Sequence, residues 1–460
     1  MTDSPFIKRL TYKNKEYFVY DVNKNEVKHI AAKTCFDLQG GTNNGMDNKE
    51  ISELLSQAYL SHDRPTNIEQ GLTRYLEAYA KKRVSGMVLQ VTQSCNLKCK
   101  YCTYAVNGLY YRTHSSKQMS WDVAKCAIDF LKKHSGDLQN IRIAFYGGEP
   151  MLNMNLIRQA VLYAEEIMPY KNIRFAMTSN LTLLSQEALD FFAAHNFKLT
   201  ISLDGPQKFN DKNRFFAVNG ESSYGTVMEK LQMIASYPDY LRRNVQINAV
   251  VDKSADPQEI LNFFRQHDIL KNVPVELSTV DDSNLKIQYY TSPEYLKRRK
   301  INAFKSMVAR ACDVIIEEDV LDDIYERIAK KSAPYSIIKY VHHNGPCIPG
   351  VKKLFVNAEG NFFPCEKANE MSEHLKIGNI YSDFDTEKMK AIYNIGKISE
   401  EECVDCWAIK LCSTCAVNID DGTKLSKKLK QSRCVAQKKQ LDRELVQLGL
   451  IALFRQLPQS

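Results

Sequence analysis

The sequence predicts an α/β protein whose central part is a partial (β/α)6 barrel, similar to a TIM barrel with fewer strands. Between residues 86 and 280, six short apolar strands alternate with amphipathic helical segments, a pattern typical of a parallel sheet covered by helices. Six strands instead of eight favour an open or partial barrel. Cysteines cluster on both sides of this region, three near residue 100 and seven between residues 347 and 434.

The barrel strands are predicted from runs rich in Val, Ile, Leu and Phe. They lie at 87–92, 141–147, 173–179, 198–204, 245–251 and 274–280. Helical spacing of apolar residues predicts the intervening helices at 120–134, 153–168, 185–196, 223–236 and 256–267. Active sites in such folds lie at the carboxyl ends of the strands, so functional residues are expected in the loops that follow them.

The first 85 residues predict a small α+β unit. Three strands, at 6–12, 16–21 and 26–32, are separated by the turn-rich stretches KNK and VNKN. Two helices follow, each opened by a capping-box pair, Asp47 with Glu50 and Thr66 with Glu69. The segment VKHIAA is the predicted edge strand, and an edge strand can accept an added peptide strand. A plain packing module is the alternative.

The remainder of the chain is predicted to hold a helical segment, a cysteine-rich segment and a final helix. LFVNAEGNFFPC is typical of a hairpin that turns at Glu359 and Gly360. The predicted domains are 1–85, the barrel at 86–310, a helical bridge at 311–345, a cysteine-rich domain at 346–438 and a C-terminal helix at 439–460.

Composition favours a globular protein of the cytoplasm. The chain has 460 residues, 44% hydrophobic and 25% charged, with a net charge of +8. We expect no membrane association, because no apolar run approaches the roughly 18 residues of a membrane span and the N-terminus has no signal core. We also expect no nucleic-acid binding, because no basic stripe with interleaved aromatics occurs.

Thirteen cysteines in a reducing compartment predict metal binding or catalysis instead of disulfides. Cys95, Cys99 and Cys102 form the pattern C-x3-C-x2-C directly after the first barrel strand. Three thiolates can hold three irons of a [4Fe–4S] cluster and leave the fourth iron open. A zinc ion would need a fourth ligand, and His114 is twelve residues beyond Cys102. Cys35, Cys126 and Cys312 stand apart and are predicted to be core residues.

The cysteine loop, YGGEP at 146–150, TSN at 178–180 and SLDGP at 202–206 lie at the ends of the first four barrel strands. Together they resemble the radical S-adenosylmethionine (SAM) enzymes. In that family the open iron chelates SAM, and one electron cleaves SAM to a 5′-deoxyadenosyl radical. The resemblance implies SAM contacts by the following residues: Tyr101 to the adenine, Gly147 and Gly148 through close backbone approach, Glu149 to the ammonium, Asn180 near the ribose, Ser202 to SAM, and Arg214 to the carboxylate.

The C-terminal cysteines resemble the SPASM extension of these enzymes, which holds two auxiliary [4Fe–4S] clusters. The resemblance assigns Cys347, Cys365 and Cys415 to the first cluster, and Cys403, Cys406, Cys412 and Cys434 to the second. Two clusters need eight thiolates and seven are present, so we expect an open iron that binds a substrate cysteine. Water, or a ligand from the 281–345 segment such as Cys312, is the alternative. From spacing alone, Cys403 to Cys415 could also form a zinc site, and its last loop is one residue shorter than is usual in the family.

SPASM-type enzymes act mostly on peptides, and residues 1–85 resemble the winged-helix-like recognition module of those that form thioethers. We therefore expect thioether cross-links, from cysteine sulfur to carbon, in a ribosomally synthesised precursor peptide whose leader binds this module. Flavodoxin or ferredoxin is the expected electron donor. The alternatives are a carbon–carbon cross-linking enzyme, a zinc or peptide-binding scaffold, and a sulfatase-maturing enzyme that makes formylglycine. For the last, Glu366 replaces the family's aspartate and could be a base or an exposed hairpin residue.

Overall fold

The computed structural model describes residues 4–39, 48–104, 112–280, 282, 285–312 and 339–456. Its strands are β1 Ile7–Tyr12, β2 Glu16–Asp21, β3 Glu26–Ile30, β4 Asn67–Ile68, β5 Gly86–Thr92, β6 Asn140–Gly147, β7 Asn172–Ser179, β8 Lys198–Ser202, β9 Val245–Val251, β10 Val275–Thr279, β11 Tyr340–Val341, β12 Leu354–Val356, β13 Asn361–Phe363, β14 Gly378–Asn379 and β15 Asp383–Phe384. Its helices are α1 Ala32–Asp37, α2 Lys49–Ser56, α3 Leu76–Lys82, α4 Trp121–His134, α5 Met154–Ile167, α6 Gln186–Ala194, α7 Gln207–Asn213, α8 Tyr224–Ala235, α9 Pro238–Asn244, α10 Pro257–Gln266, α11 Pro293–Ala311, α12 Thr386–Tyr393, α13 Glu400–Val404 and α14 Lys427–Gln456.

The six predicted barrel strands are confirmed, and they pair in parallel in the order β10-β9-β8-β7-β6-β5. The sheet continues beyond β5, because β12 pairs with β5 in parallel and β13, β14 and β15 follow in antiparallel. The predicted hairpin is therefore correct, but its attachment to the barrel was not predicted. This attachment brings the cysteine-rich segment next to the first barrel strand.

The five predicted barrel helices are also confirmed, each within two residues of its expected ends. Side-chain caps fix several of these starts: Ser120 accepts from the Val123 N–H, Ser185 from Ala188 and Asp256 from Gln258. The short helices α7 and α9 were missed, since seven residues are too few for a clear helical period.

The N-terminal sheet β1-β2-β3 is covered on both faces. Val19 and Ile30 pack with α1 and α2 on one face. Phe18 and Tyr20 face the opposite way and pack against leucines of α14. A Cβ on Gly449 of α14 would overlap the Phe18 ring, which shows how closely this helix approaches the sheet. The N-terminal unit is thus joined to the C-terminal segment through a shared core.

Three predicted elements near the termini differ in the structure. Asn48 caps α2 through the N–H groups of Glu50 and Ile51, whereas the expected cap Asp47 lies outside the described residues. The helix expected from Thr66 is wrong, because residues 67–68 form β4 and pair with β11, and the helix begins only at Leu76. Here the pairing of Ile68 with distant chain segments overrides local helical spacing. Helix α14 begins at Lys427, twelve residues before the expected boundary at 439.

All thirteen cysteines fall within the described residues, and every one is a free thiol. Cys35 is buried in the N-terminal unit, as predicted. Cys312 is exposed at the end of α11, so its prediction as a core residue is wrong. Across the described ranges, none of the helices is both long enough and apolar enough to cross a bilayer.

Candidate active site at the carboxyl ends of the barrel strands

The loop that follows β5 brings Cys95, Cys99 and Cys102 together, since the charge of each cysteine influences the others. Burial raises the pKa of Cys95 to about 12 and that of Cys99 to about 11. A thiol in such surroundings stays protonated unless a cation replaces the proton. The loop is therefore suited to a metal centre, whose binding would ionise all three thiols.

Gly147 and Gly148, at the end of β6, make room for this cysteine loop. A Cβ on Gly147 would overlap the carbonyl oxygen of Thr92, and one on Gly148 would overlap that of Ser94. The φ of Gly147 is +153°, which L-residues rarely adopt. The Gly148 N–H donates to Thr92 O at 3.2 Å. The glycines thus permit close approach of two protein loops, a role that the resemblance did not imply.

Glu149 is buried and fastens β6 to β7. Its carboxylate accepts from the Asn180 N–H at 2.7 Å, the Ser179 hydroxyl at 2.8 Å and the Met151 N–H at 3.1 Å. Burial raises the pKa of Glu149, although these donors act in the opposite direction. Its own N–H donates to Ser94 O at 2.9 Å, which ties it to the cysteine loop as well.

Asn180 connects the end of β7 to the same loop. Its amide donates to the Asn96 side chain at 2.9 Å and accepts from the Thr182 hydroxyl at 2.7 Å. Asn96 donates in turn to Thr182 at 2.8 Å. Both ends of the Asn180 amide are therefore engaged within the protein, and the predicted contact with a ribose stays a prediction. Ser202, the last residue of β8, is buried at the same edge of the sheet.

Asp204 joins two of the predicted site residues and was missed as a functional residue. It accepts from the Tyr101 hydroxyl at 2.7 Å and forms an ion pair with Arg214 at 3.1 Å. Arg214 also lies 5.4 Å from the centre of the Tyr101 ring and 4.0 Å from the Cys99 sulfur. The signal in the sequence was the Asp within SLDGP, which was interpreted only as a strand-end residue.

The first C-terminal group consists of Cys347, Cys365 and Cys415. The charge of Cys415 influences Cys365, and that of Cys347 influences Cys415, so the three lie near one another. Burial raises the pKa of Cys365 to about 11. The structure thus brings together the cysteines that the resemblance assigned to the first auxiliary cluster.

Glu366 lines the barrel cavity. Of its two predicted roles, base or exposed hairpin residue, the structure therefore argues against the second. The cavity, about 90 Å³ in volume, is also lined by Val88, Tyr146, Thr178 and Lys353. Lys353 pairs with Glu366 Oε1 at 3.0 Å, and within the described chain Oε2 is buried without a hydrogen-bond partner.

Tyr146 places one part of this cavity near both cysteine groups. Burial raises its pKa, and the charges of Cys102 and Glu366 act in the same direction. Tyr146 therefore lies close both to the loop after β5 and to the residue that follows Cys365.

A buried ion pair stands beside this cavity and was not predicted. Arg112 Nε lies 2.8 Å from Glu370, and both side chains are less than one-tenth exposed. Gln90 donates to the same Glu370 oxygen at 2.6 Å. The remaining Arg112 Nη2 and Glu370 Oε2 have no hydrogen-bond partner among the described residues. Because the charges of Arg112 and Glu370 both influence Tyr146, the pair lies near this cavity.

The second C-terminal group consists of Cys403, Cys406, Cys412 and Cys434. Cys403 lies on α13, Cys406 and Cys412 on the following loop, and Cys434 on α14. The charges of the other three influence Cys434, so the four lie close together. Burial raises the pKa of Cys406 and of Cys434.

The thiol groups are compatible with iron–sulfur clusters. In the part of the chain that the structure describes, no three His, Cys, Asp or Glu side chains converge closely enough to share one metal ion. The ligands of a [4Fe–4S] cluster bind separate irons, so they stand further apart than the ligands of one zinc ion. The donor sets of three, three and four thiols therefore fit the predicted clusters.

Cys312 lies at the far end of the C-terminal segment from these groups. The carbonyl of Arg310, two residues before Cys312, accepts from Arg455 at 2.7 Å. Arg455 is 21 residues beyond Cys434 on α14, which corresponds to about 31 Å along the helix. Cys415 lies near the opposite end of α14, because Ile419 O accepts from Ser426 N just before the helix begins. The structure therefore argues against Cys312 as the missing ligand.

Comparison with known proteins agrees with the resemblance to radical SAM enzymes. Residues 89–263 match the family model of the Radical SAM superfamily. An uncharacterized protein of Methanocaldococcus jannaschii is 35% identical over 152 residues, 33% of this chain and 49% of that protein, so the chain spans about half the length of this relative. The cysteine-type anaerobic sulfatase-maturating enzyme of Clostridium novyi is 23% identical over 296 residues, 62% of this chain and 74% of the enzyme.

A solved structure has the same fold. It is that of anSMEcpe with bound AdoMet and the Cp18Cys peptide. The TM-score is 0.55 and the sequences are 19% identical, over 79% of this chain and 98% of the other.

Proposed function

We propose that this chain, which contains a radical SAM domain and is homologous to anaerobic sulfatase-maturating enzymes, forms thioether cross-links in a peptide. The observation that carries this proposal is the barrel cavity, whose lining residue Tyr146 lies near Cys102 and near Glu366, the residue that follows Cys365. Peptide-modifying homologues, including one whose structure holds both AdoMet and a peptide, support a peptide substrate.

The loop of Cys95, Cys99 and Cys102 would hold a [4Fe–4S] cluster, and SAM would bind beside it. Bound there, they supply a 5′-deoxyadenosyl radical, which removes a hydrogen atom from a peptide carbon. Tyr101 and Arg214 are held in place by Asp204 on one side of this site. Glu149 and Asn180 fix the opposite side through their bonds to the cysteine loop.

The incomplete group would bind the sulfur of the substrate. Three protein thiolates leave one iron of a cluster open, and the distant position of Cys312 argues against that residue as its ligand. The open iron would then bind a substrate cysteine in place of water. Forming the thioether breaks one C–H and one S–H bond and makes one C–S bond. One hydrogen would leave with 5′-deoxyadenosine and the thiol proton would go to solvent. The remaining electron needs an acceptor, which a cluster held by Cys347, Cys365 and Cys415 would supply.

The N-terminal sheet would bind the leader of the precursor peptide at the free edge of β3. Because this sheet shares a core with α14, a leader bound there is held by the same unit that carries Cys434. We further propose that the enzyme works in the cytoplasm and receives electrons from a flavodoxin or ferredoxin.

Mass spectrometry tests the reaction. The protein is co-expressed anaerobically with the cysteine-containing peptide that is encoded beside its gene, and the peptide is weighed before and after thiol alkylation. We expect loss of two hydrogens for each cysteine, and those cysteines should no longer be alkylated. Hydrogen loss with every thiol still free would contradict the thioether and indicate a carbon–carbon bond.

Cys365→Ala should remove about four irons per chain and abolish cross-linking, while SAM is still cleaved. The reason is that Cys365 belongs to the group across the cavity and not to the SAM loop. Iron content, SAM cleavage and peptide mass are measured on the same preparation. Cys126→Ala, on α4, is the control and should change none of them. Unchanged iron in the Cys365 variant would refute the assignment of this group to a cluster.

A formylglycine-forming activity is the second candidate, and the position of Glu366 favours it. Glu366 lines the cavity beside Cys365 and has a buried carboxylate oxygen without a hydrogen-bond partner in the described chain, so it could accept a proton from a substrate. If this candidate is correct, Glu366→Gln should lower aldehyde formation by about 100-fold or more while SAM cleavage continues. Glu359→Gln, at the exposed hairpin turn, is the matched control. A Glu366 variant that retains full activity would exclude the base.

A further inference from the structure

Lys430 is a buried cation beside the second C-terminal cysteine group. It lies on α14 one turn before Cys434 and is 1% exposed. Its ammonium donates to Ser399 Oγ at 2.5 Å, Gly396 O at 3.3 Å and Cys403 Sγ at 3.4 Å. No carboxylate of the described residues lies within ion-pair distance of it.

A buried ammonium needs a compensating negative charge, because burial removes the stabilisation that water provides. Ser399 and Gly396 offer neutral acceptors only. Two thiols near Lys430 can carry negative charge, since Lys430 donates to Cys403 and its charge influences Cys434. Four thiolates around an iron–sulfur cluster would provide this charge.

His343 is a second buried polar side chain near Lys430, since the charge of Lys430 influences it. It is 1% exposed, and neither of its ring nitrogens has a hydrogen-bond partner in the part of the chain described. The next residue, Asn344, donates from its backbone N–H to Cys412 O at 3.1 Å, so the segment that carries His343 runs along this cysteine group. Since a neutral imidazole always carries one N–H, His343 holds a donor without a protein acceptor.

We propose that Lys430 is a positioning residue that makes the cluster of Cys403, Cys406, Cys412 and Cys434 easier to reduce. This inference rests on the cofactor set of the proposed function. Reduction adds negative charge, and a fixed positive charge that donates to a ligand sulfur stabilises the reduced form more than the oxidised form. Lys430 would therefore help this cluster to accept an electron from the neighbouring auxiliary site.

The test is a redox titration of the fully loaded, full-length protein, followed by electron paramagnetic resonance, with iron counted in each sample. Lys430→Met should shift the midpoint potential of one cluster to a more negative value and leave the other two unchanged, with iron retained. Lys430→Arg keeps the charge and should stay near the wild-type potential. Lys427→Met removes a half-exposed lysine from the same helix and should have no effect.

Three results for the variants would overturn the inference. The first is an unchanged potential in Lys430→Met at full iron content, and the second is an equal shift in the Lys427 control. The third is loss of about four irons in both Lys430 variants, which would show that Lys430 is needed to assemble the site and not to set the potential of the cluster. A wild-type protein with iron only at the Cys95–Cys102 loop would refute the proposed cofactor set and this inference together, and the iron count of the wild type distinguishes that case.

Discussion

Gly148→Ala is expected to abolish SAM cleavage. Its new Cβ would overlap Ser94 O and lie 2.9 Å from the Cys95 Cβ, and backbone atoms cannot swing aside as a flexible side chain can. The cysteine loop must therefore move away from β6, which breaks the bonds from Gly148 N to Thr92 O and from Glu149 N to Ser94 O. A displacement of about 1 Å at a reacting centre can lower the rate by about 100-fold or more. Production of 5′-deoxyadenosine measures the effect.

Gly225→Ala is the matched control for this substitution. Gly225 lies in α8, and a Cβ there would meet no atom within 4 Å, so SAM cleavage should be unchanged. Circular dichroism should show that the Gly148 variant is folded, since the strain is confined to one loop contact. A folded Gly148→Ala protein that cleaves SAM at the wild-type rate would mean that the cysteine loop does not need this close approach.

The barrel could be predicted from the sequence because its signals are local. Each strand is an apolar run of five to eight residues, and each intervening helix shows a clear period, with a capping side chain at several of the starts. The continuation of the sheet through β12 could not be predicted in the same way. It depends on the pairing of Leu354 with Met87. These residues are 267 positions apart, and no local sequence pattern around either one indicates the other as its partner.

The candidate site was predictable wherever chemistry depends on residue type and spacing. Cysteine groups and the glycine pair after β6 are of this kind, and the structure places them together as the resemblance implied. Residues that act by holding others in place give no such signal. Lys430 is one of several lysines on α14. Only the fold shows that Lys430 is buried, whereas its neighbours Lys427 and Lys428 are exposed.

Asp204→Asn is expected to destabilise the protein and to abolish SAM cleavage as well. The new amide would keep the shape of the carboxylate and could still accept from Tyr101, but Arg214, which is 6% exposed, would lose its counter-charge. Removing one partner of a buried ion pair destabilises a protein by about 3–5 kcal/mol. Chemical denaturation measures the free energy of unfolding, and 5′-deoxyadenosine production measures SAM cleavage. Asp239→Asn, in an exposed pair with Arg242, should leave both unchanged.

A second substitution separates the structural effect from the chemical one. In the double variant Asp204→Asn with Arg214→Met, neither buried charge remains, so much of the lost stability should return. SAM cleavage should not return, because Arg214 is also the group proposed to bind the carboxylate of SAM. If the double variant recovered both stability and SAM cleavage, Asp204 and Arg214 would only support the fold, and the SAM carboxylate would have to be bound elsewhere at the strand ends.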